Sequence, residues 1–195
     1  MSAGRRGGTW MQRWRVPLGF LCAAAFLLLA RPRRETLAVG GAVAIVGLLL
    51  RAWAAGHIRK NAALATSGPY AYTRNPLYLG SFILGLGFTV AASSSLWLFA
   101  LLGTLFAALF LGIYLPVMRV EAATLAELFG EDYRRYARAV PLFVPRLAPY
   151  RDEARHDAPA ERFDAGLYMR YREYQAALGL LLAWGALVLK AFLLK

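Results

Sequence analysis

The stretch "TSGPYAYTRNPLYLGSFILGLGF", Thr66 to Phe88, decides how this chain is read. Its second half is a glycine-rich apolar run, and Gly80, Gly85 and Gly87 thin one side of it, so that a helix or a flat ligand can approach closely. Its first half has two prolines, three tyrosines and an arginine, more than a membrane span needs at its flank. Pro69 and Pro76 hold the residues before them in extended backbone, so Thr66 to Pro76 reads as an ordered non-helical stretch. In a membrane protein such backbone persists where it packs on protein or lines a cavity.

Composition sets the surroundings. A chain of 195 residues that is 59% hydrophobic, with a mean hydropathy of +0.45, has more apolar surface than one small soluble domain buries. The single cysteine, Cys22, excludes an intramolecular disulfide and a cysteine metal cluster. The net charge of +12 flanks the apolar runs and forms no aromatic-interleaved stripe, which argues for membrane orientation and lipid contact and against nucleic acid. Apart from Glu35, every acid lies at or after Glu121. Carboxylate chemistry at the membrane must therefore come from the segment that begins there.

Measured against the roughly 20 residues that cross a bilayer, five apolar segments stand out: about Trp14 to Ala30, Thr36 to Gly56, Leu77 to Ser93, Leu96 to Pro116 and Ala176 to Leu194. The first has a charged end, "RPRRE", instead of a small-residue cleavage site, and is read as a retained span. The reading is an all-α integral membrane protein with about five transmembrane helices. "ASSS", Ala92 to Ser95, is long enough only for a hairpin turn, so the segments before the third span and after the fourth share one side. Those segments carry His57, Arg59, Lys60, Arg74, Arg119, Arg134, Arg135 and Arg138, and the positive-inside rule makes that side cytoplasmic. The loop Arg31 to Glu35 then lies outside with net positive charge, against the rule.

After the fourth span, Leu125, Leu128, Phe129, Tyr133 and Tyr136 recur at helical spacing. They describe an amphipathic helix, or a pair broken near Gly130, lying along the cytoplasmic face. Arg146 to Ala165 reads as a linker. "GLYMRYREYQ", Gly166 to Gln175, has the mixture of an interfacial anchor; the span after it either covers the site or packs against the first span.

Taken singly, Tyr70, Tyr72 and Tyr78 read as interfacial aromatics, Arg74 as a charge anchor, and Glu121 as an exposed helix residue. Together, on one face, they form a pattern. "LATSGPYAYTRNPLYLG", followed by a hydrophobic hairpin and "EAATLAELFGEDYRRYARAVPLFVP", resembles the isoprenylcysteine carboxyl methyltransferase family, which is related to the membrane phospholipid methyltransferases. The likeness runs from about Leu64 to Pro145. It implies an S-adenosylmethionine-dependent methyltransferase with its pocket at the cytosolic membrane boundary; the placement of the motifs at that interface leads us to expect a lipophilic methyl acceptor entering laterally from the bilayer. By position it assigns Leu64, Ala65, Tyr70, Asn75, Pro76, Leu77, Tyr78 and Glu121 to the cofactor, with Arg74 and Glu121 as catalytic. The chain then divides into residues 1–56, two spans; 57–145, the methyltransferase core; and 146–195, linker and last span.

The chemistry agrees with that assignment. The cofactor has a purine that stacks on tyrosine, hydroxyls and an ammonium that a carboxylate binds, and a carboxylate that arginine pairs with. Three positions depart from the pattern. Asn75 replaces the usual histidine, which keeps hydrogen bonding and loses a titrating imidazole. Ala122 replaces the second acid of a Glu-Glu pair, and Val117 stands where the prenylcysteine enzymes have an arginine for the substrate carboxylate. The acceptor therefore stays open among a prenylcysteine-type carboxylate, a phospholipid amine and another lipophilic molecule, and oligomeric state is not encoded legibly. His57 and His156 are far apart without further ligands nearby, so no metal site is expected. A non-enzymatic transporter or assembly protein on the same scaffold is the rival. It would call for charge within the spans, where Arg51 and Lys190 are the candidates and both can snorkel.

Overall fold

The computed structural model describes residues 24, 26–59, 63–151 and 163–193. It is all-helical among these: α1 Arg34–Ala55, a 3₁₀ turn Gly68–Ala71, α2 Pro76–Ala92, α3 Leu96–Ala139, α4 Ala165–Arg170 and α5 Tyr174–Leu193. The protein is an integral membrane protein. Three helices, α1, α3 and α5, are long and apolar enough to cross a bilayer, and α2 is a shorter apolar helix. At 17 residues, α2 covers about 26 Å of axis, slightly less than a bilayer core. Of the first expected span, only residue 24 and residues 26–30, with the last helical turn at 26–29, fall within the described residues.

Glycines set how α1 and α2 pack. A Cβ on Gly40 would come within 2.4 Å of the Gly87 carbonyl oxygen, and one on Gly47 within 2.6 Å of that of Gly80. The two pairs are each spaced by seven residues, so both helices present a smooth stripe at the same repeat and their backbones meet. This antiparallel contact uses two of the three glycines of the apolar run, Gly80 and Gly87, for helix packing. The third, Gly85, faces the Phe106 ring of α3. Outward faces are apolar, with Val39, Ile45, Leu49, Trp97, Leu101, Leu181 and Leu182 exposed, as lipid-facing surfaces are.

The chain turns back at Ser93 to Ser95, where the Ser95 side chain caps α3 by accepting from Leu98 N at 3.3 Å. Beyond this hairpin α3 continues through Pro116, past the expected end of the fourth span, and breaks at Gly130 (φ 57, ψ −127), where the sequence reading allowed for a broken pair of helices. A proline removes one hydrogen bond, which a helix in a membrane protein tolerates. Up to Gly130 the helix is about 50 Å long, so its second half extends past the bilayer as a rigid continuation of the span. The stretch Thr66 to Pro76 likewise differs in one detail: it contains the 3₁₀ turn at Gly68–Ala71.

At one end of the bundle Arg31 N donates to Ala92 O at 2.8 Å, and Lys190 Nζ donates to Leu27 O and, at 2.8 Å, to Leu28 O. At the other end lie the carboxyl end of α1, the start of α2, the extramembrane part of α3 and the start of α5. α5 therefore does pack against the end of the first span, and its other end reaches the site described next.

Candidate functional site

A cavity of about 620 Å³ opens between these elements. Leu64, Ala65, Tyr70, Arg74, Asn75, Leu77, Tyr78 and Glu121 all line it. Of the residues singled out from sequence, Pro76 is not in the wall; it is buried as the first residue of α2, where a missing N–H costs nothing.

The loop is held from below and from above. His57 is buried: Nδ1 lies 2.9 Å from Trp53 O, and the ring packs under Gly68. A side chain on Gly68 would meet that ring at 2.6 Å, and its φ of +57 is itself a glycine conformation. From above, the strap that follows α3 buckles the loop. Pro141 O accepts from Arg74 N at 3.0 Å, Leu142 O from Asn75 Nδ2 at 2.9 Å and Phe143 O from Thr73 Oγ1 at 2.9 Å. Arg146 N and Tyr150 N donate back to Tyr72 O and Ala71 O, each at 2.9 Å. The "AVPLFVP" half of the pattern thus acts as a clamp on the other half, and Asn75 serves both wall and clamp.

Inside the cavity, Tyr78 Oη donates to Glu121 Oε1 at 2.9 Å, which joins α2 to α3 across 43 positions of sequence. The Tyr78 ring packs on Tyr114 at 5.3 Å between centroids, and Tyr114 continues into Phe110, Phe82 and Phe106, an aromatic run between α2 and α3 leading away from the cavity. Arg74 Nη1 donates to Tyr133 Oη at 3.2 Å, and Tyr136 Oη donates to Tyr70 O at 2.7 Å. Burial, reinforced by Tyr136, Glu173 and Glu121, pushes the Tyr70 phenol far above its ordinary range, so it remains a protonated donor. Tyr136 is raised in the same way by burial and by Tyr133, with Arg74 pulling it down.

Three buried donors have no hydrogen-bond partner among the described residues: Tyr70 Oη, Arg74 Nε and Arg51 Nε. All three residues line the cavity. Buried polar groups are rarely left unpaired, so a ligand rich in acceptors fits this wall. The residues suit S-adenosylmethionine in size as well, since small-molecule sites run to about 300–1,000 Å³.

Sequence reasoning missed Arg51, Ser81 and Glu173. In sequence Arg51 reads as a snorkelling charge, yet its guanidinium donates to Leu77 O at 3.3 Å, to Ser81 Oγ, and to Glu173 Oε2 at 2.6 Å. The signal was present: an arginine inside an apolar run and an acid in an otherwise basic anchor. Nothing in sequence joined them across 122 positions. Among the described residues, no group of three or more His, Cys, Asp or Glu is placed to hold a metal ion; His156 lies outside them.

Residues 36–132 match the family model described as phospholipid methyltransferase. The chain is 39% identical over 152 residues to the cobalt-zinc-cadmium resistance protein CzcN of Cupriavidus metallidurans, covering 72% of this chain and 66% of that protein. It is 35% identical to the nickel-cobalt-cadmium resistance protein NccN of Alcaligenes xylosoxydans xylosoxydans, over 72% of this chain and 67% of that one. It is 30% identical to the protein-S-isoprenylcysteine O-methyltransferase of Schizosaccharomyces pombe, over 67% of this chain and 48% of the yeast protein. The chain thus spans about two thirds of the bacterial relatives and about half of the yeast one. No solved structure matches it.

Proposed function

The chain belongs to the isoprenylcysteine-methyltransferase-related family of membrane methyltransferases, and on that premise we propose that it transfers a methyl group from S-adenosylmethionine to a lipophilic acceptor. The observation that carries the reading is the Tyr78–Glu121 hydrogen bond inside a cavity walled by the proline-fixed loop. When bound, S-adenosylmethionine supplies a methyl group on a sulfonium with the leaving group already attached. The protein's task is alignment and exclusion of water.

Tyr70 and Tyr78 offer faces and hydroxyls to the nucleoside, with Leu64, Ala65 and Leu77 as its apolar bed. Glu121 accepts from hydroxyls or an ammonium, and Arg74 pairs with a carboxylate. Asn75 keeps a carbonyl oxygen and a second amide hydrogen after Leu142 O takes the first, and it moves no proton. An acceptor that is anionic at the reacting atom needs no general base here; a protonated amine must first give up its proton, and the Glu121 carboxylate is the base at hand. The aromatic run from Tyr114 to Phe106 gives an apolar acceptor a lateral path from the bilayer. The arginine-rich end of the bundle faces the cytoplasm in this reading.

The test is saturable binding of labelled S-adenosylmethionine to purified protein, followed by transfer of label in membranes into separately extracted lipids and small molecules. Label in a lipophilic product, lost in Glu121→Ala and Tyr78→Ala, is the expected result. A second reading draws on the names of the two bacterial relatives: a non-enzymatic protein serving metal resistance on the same scaffold. Protein that binds no S-adenosylmethionine at millimolar concentration decides for it.

A further inference from the structure

One end of the cavity is left unused by the contacts assigned above. Arg51 reaches it from the last turns of α1 and Glu173 from the start of α5, where their side chains are 22% and 13% exposed. Glu173 arrives there through a sharp reversal: Arg172, between α4 and α5, has φ 55, a conformation that an arginine adopts at a cost. The contact itself is incomplete. Glu173 Oε2 takes only Arg51 Nη2, while Nε, the other N–H on that edge of the guanidinium, is buried without a partner among the described residues. Side-on, that edge matches both oxygens of a carboxylate or phosphate, and two parallel bonds hold an anion better than one.

We propose that Arg51 is an anion-binding subsite of the cavity and that Glu173 is its resident stand-in, displaced when a ligand presents its own carboxylate or phosphate to the Nε–Nη2 edge. Nη1 stays anchored on Leu77 O and Ser81 Oγ throughout, so the guanidinium is held in place for the exchange. The inference rests on the cavity being the cofactor and acceptor site. Two sources have the same chemistry: the amino-acid end of the cofactor and an anionic head on the acceptor.

The experiment measures binding to the full chain in nanodiscs with two pairs of probes: S-adenosylhomocysteine against 5′-methylthioadenosine, which lacks the amino-acid part, and decanoate against decanol. Glu173→Gln removes the competing charge and is expected to tighten the anionic member of one pair by about two- to fivefold, the range of a partly exposed ion pair. Arg51→Lys keeps charge without the fork and is expected to weaken the same probe by about tenfold, leaving its uncharged counterpart unchanged. A response in the nucleoside pair places the cofactor's carboxylate there and takes it from Arg74; a response in the decyl pair places the acceptor's there and leaves the cofactor's with Arg74. Looser or unchanged binding of both anions in Glu173→Gln, or equal losses for charged and uncharged probes in Arg51→Lys, overturns the proposal. Wild-type protein that binds neither nucleoside ends the methyltransferase reading, while the decyl pair still decides the anion subsite.

Discussion

The Tyr78–Glu121 contact sets a number that a double-mutant cycle reads directly. Glu121→Gln keeps an acceptor of the same shape 2.9 Å from the Tyr78 hydroxyl and removes the charge. A hydrogen bond to a charged group contributes about 1.5–3 kcal/mol against about 0.5–1.5 for a neutral one. Glu121 is an exposed residue at the rim, so solvent reduces the difference to about 1 kcal/mol for each bond it makes. Losing the charge toward one or two ligand donors therefore costs about 1–2 kcal/mol, which weakens S-adenosylmethionine by about 5- to 30-fold. Tyr78→Phe alone is expected to cost about threefold, because Glu121 keeps its charge and loses one orienting donor. The double variant should be less than additive by about 0.5 kcal/mol, most of the Tyr78→Phe loss, since the two groups share a bond. Equilibrium binding in nanodiscs measures all four proteins, with melting temperature as the control for folding. Additive losses, or an affinity for Glu121→Gln within twofold of wild type, refute the idea that this pair is the cofactor's anchor.

Other perturbations test the frame around it. Gly40→Val drives a side chain into the Gly87 carbonyl, where no flexible group can yield, and is expected to lower thermal stability by about 3 kcal/mol or more, whereas Gly179→Ala, with nothing within 4 Å, should be neutral or mildly stabilising by melting temperature. Stability should fall as pH rises through 10 and above: the unfolded phenols of Tyr70 and Tyr136 lose protons there while the folded ones, with raised pKa, retain them, so the native state binds more protons and the slope is negative. Tyr70→Phe should flatten that slope in detergent melts, and an unchanged slope sinks the assignment. Thr73→Val with Asn75→Ala removes two bonds to the strap and is expected to speed tryptic cleavage after Arg146 several-fold; equal cleavage rates would show that the clamp is held elsewhere.

What sequence made legible was what local rules dictate. Two prolines fixed the loop, three serines marked the hairpin, and the acid-free stretch before Glu121 singled out that residue as partner for a pocket on the same side. The membrane class followed from composition, and the family from the paired patterns. Two features escaped for physical reasons. Amphipathic spacing after Pro116 is the same whether a helix lies on a membrane or simply leaves it, because in both cases one face stays against protein or lipid and the other meets water. The period alone therefore cannot report that α3 is continuous. The Arg51–Glu173 pair is a tertiary event between α1 and α5, and each member by itself has an ordinary explanation at a membrane boundary.

The continuity of α3 has a mechanical consequence that a separate surface helix would lack. Glu121 lies a little more than one turn beyond Pro116, and the same rigid rod carries Phe106, Phe110 and Tyr114 in the apolar region. A shift of the rod by an acceptor entering among those rings moves Glu121 with it, and Glu121 is bonded to Tyr78 at the start of α2. α2 in turn is locked to α1 through glycine contacts that leave no slack, and Arg51 ties α1, α2 and α5 together on the far side of the same first turn. The yielding parts are then the exposed bond between Tyr78 and Glu121 and the one-point contact of Glu173, one on each side of the α2 amino terminus. A site built this way admits ligand by exchanging those two contacts for its own, while α1 and α2 stay locked together.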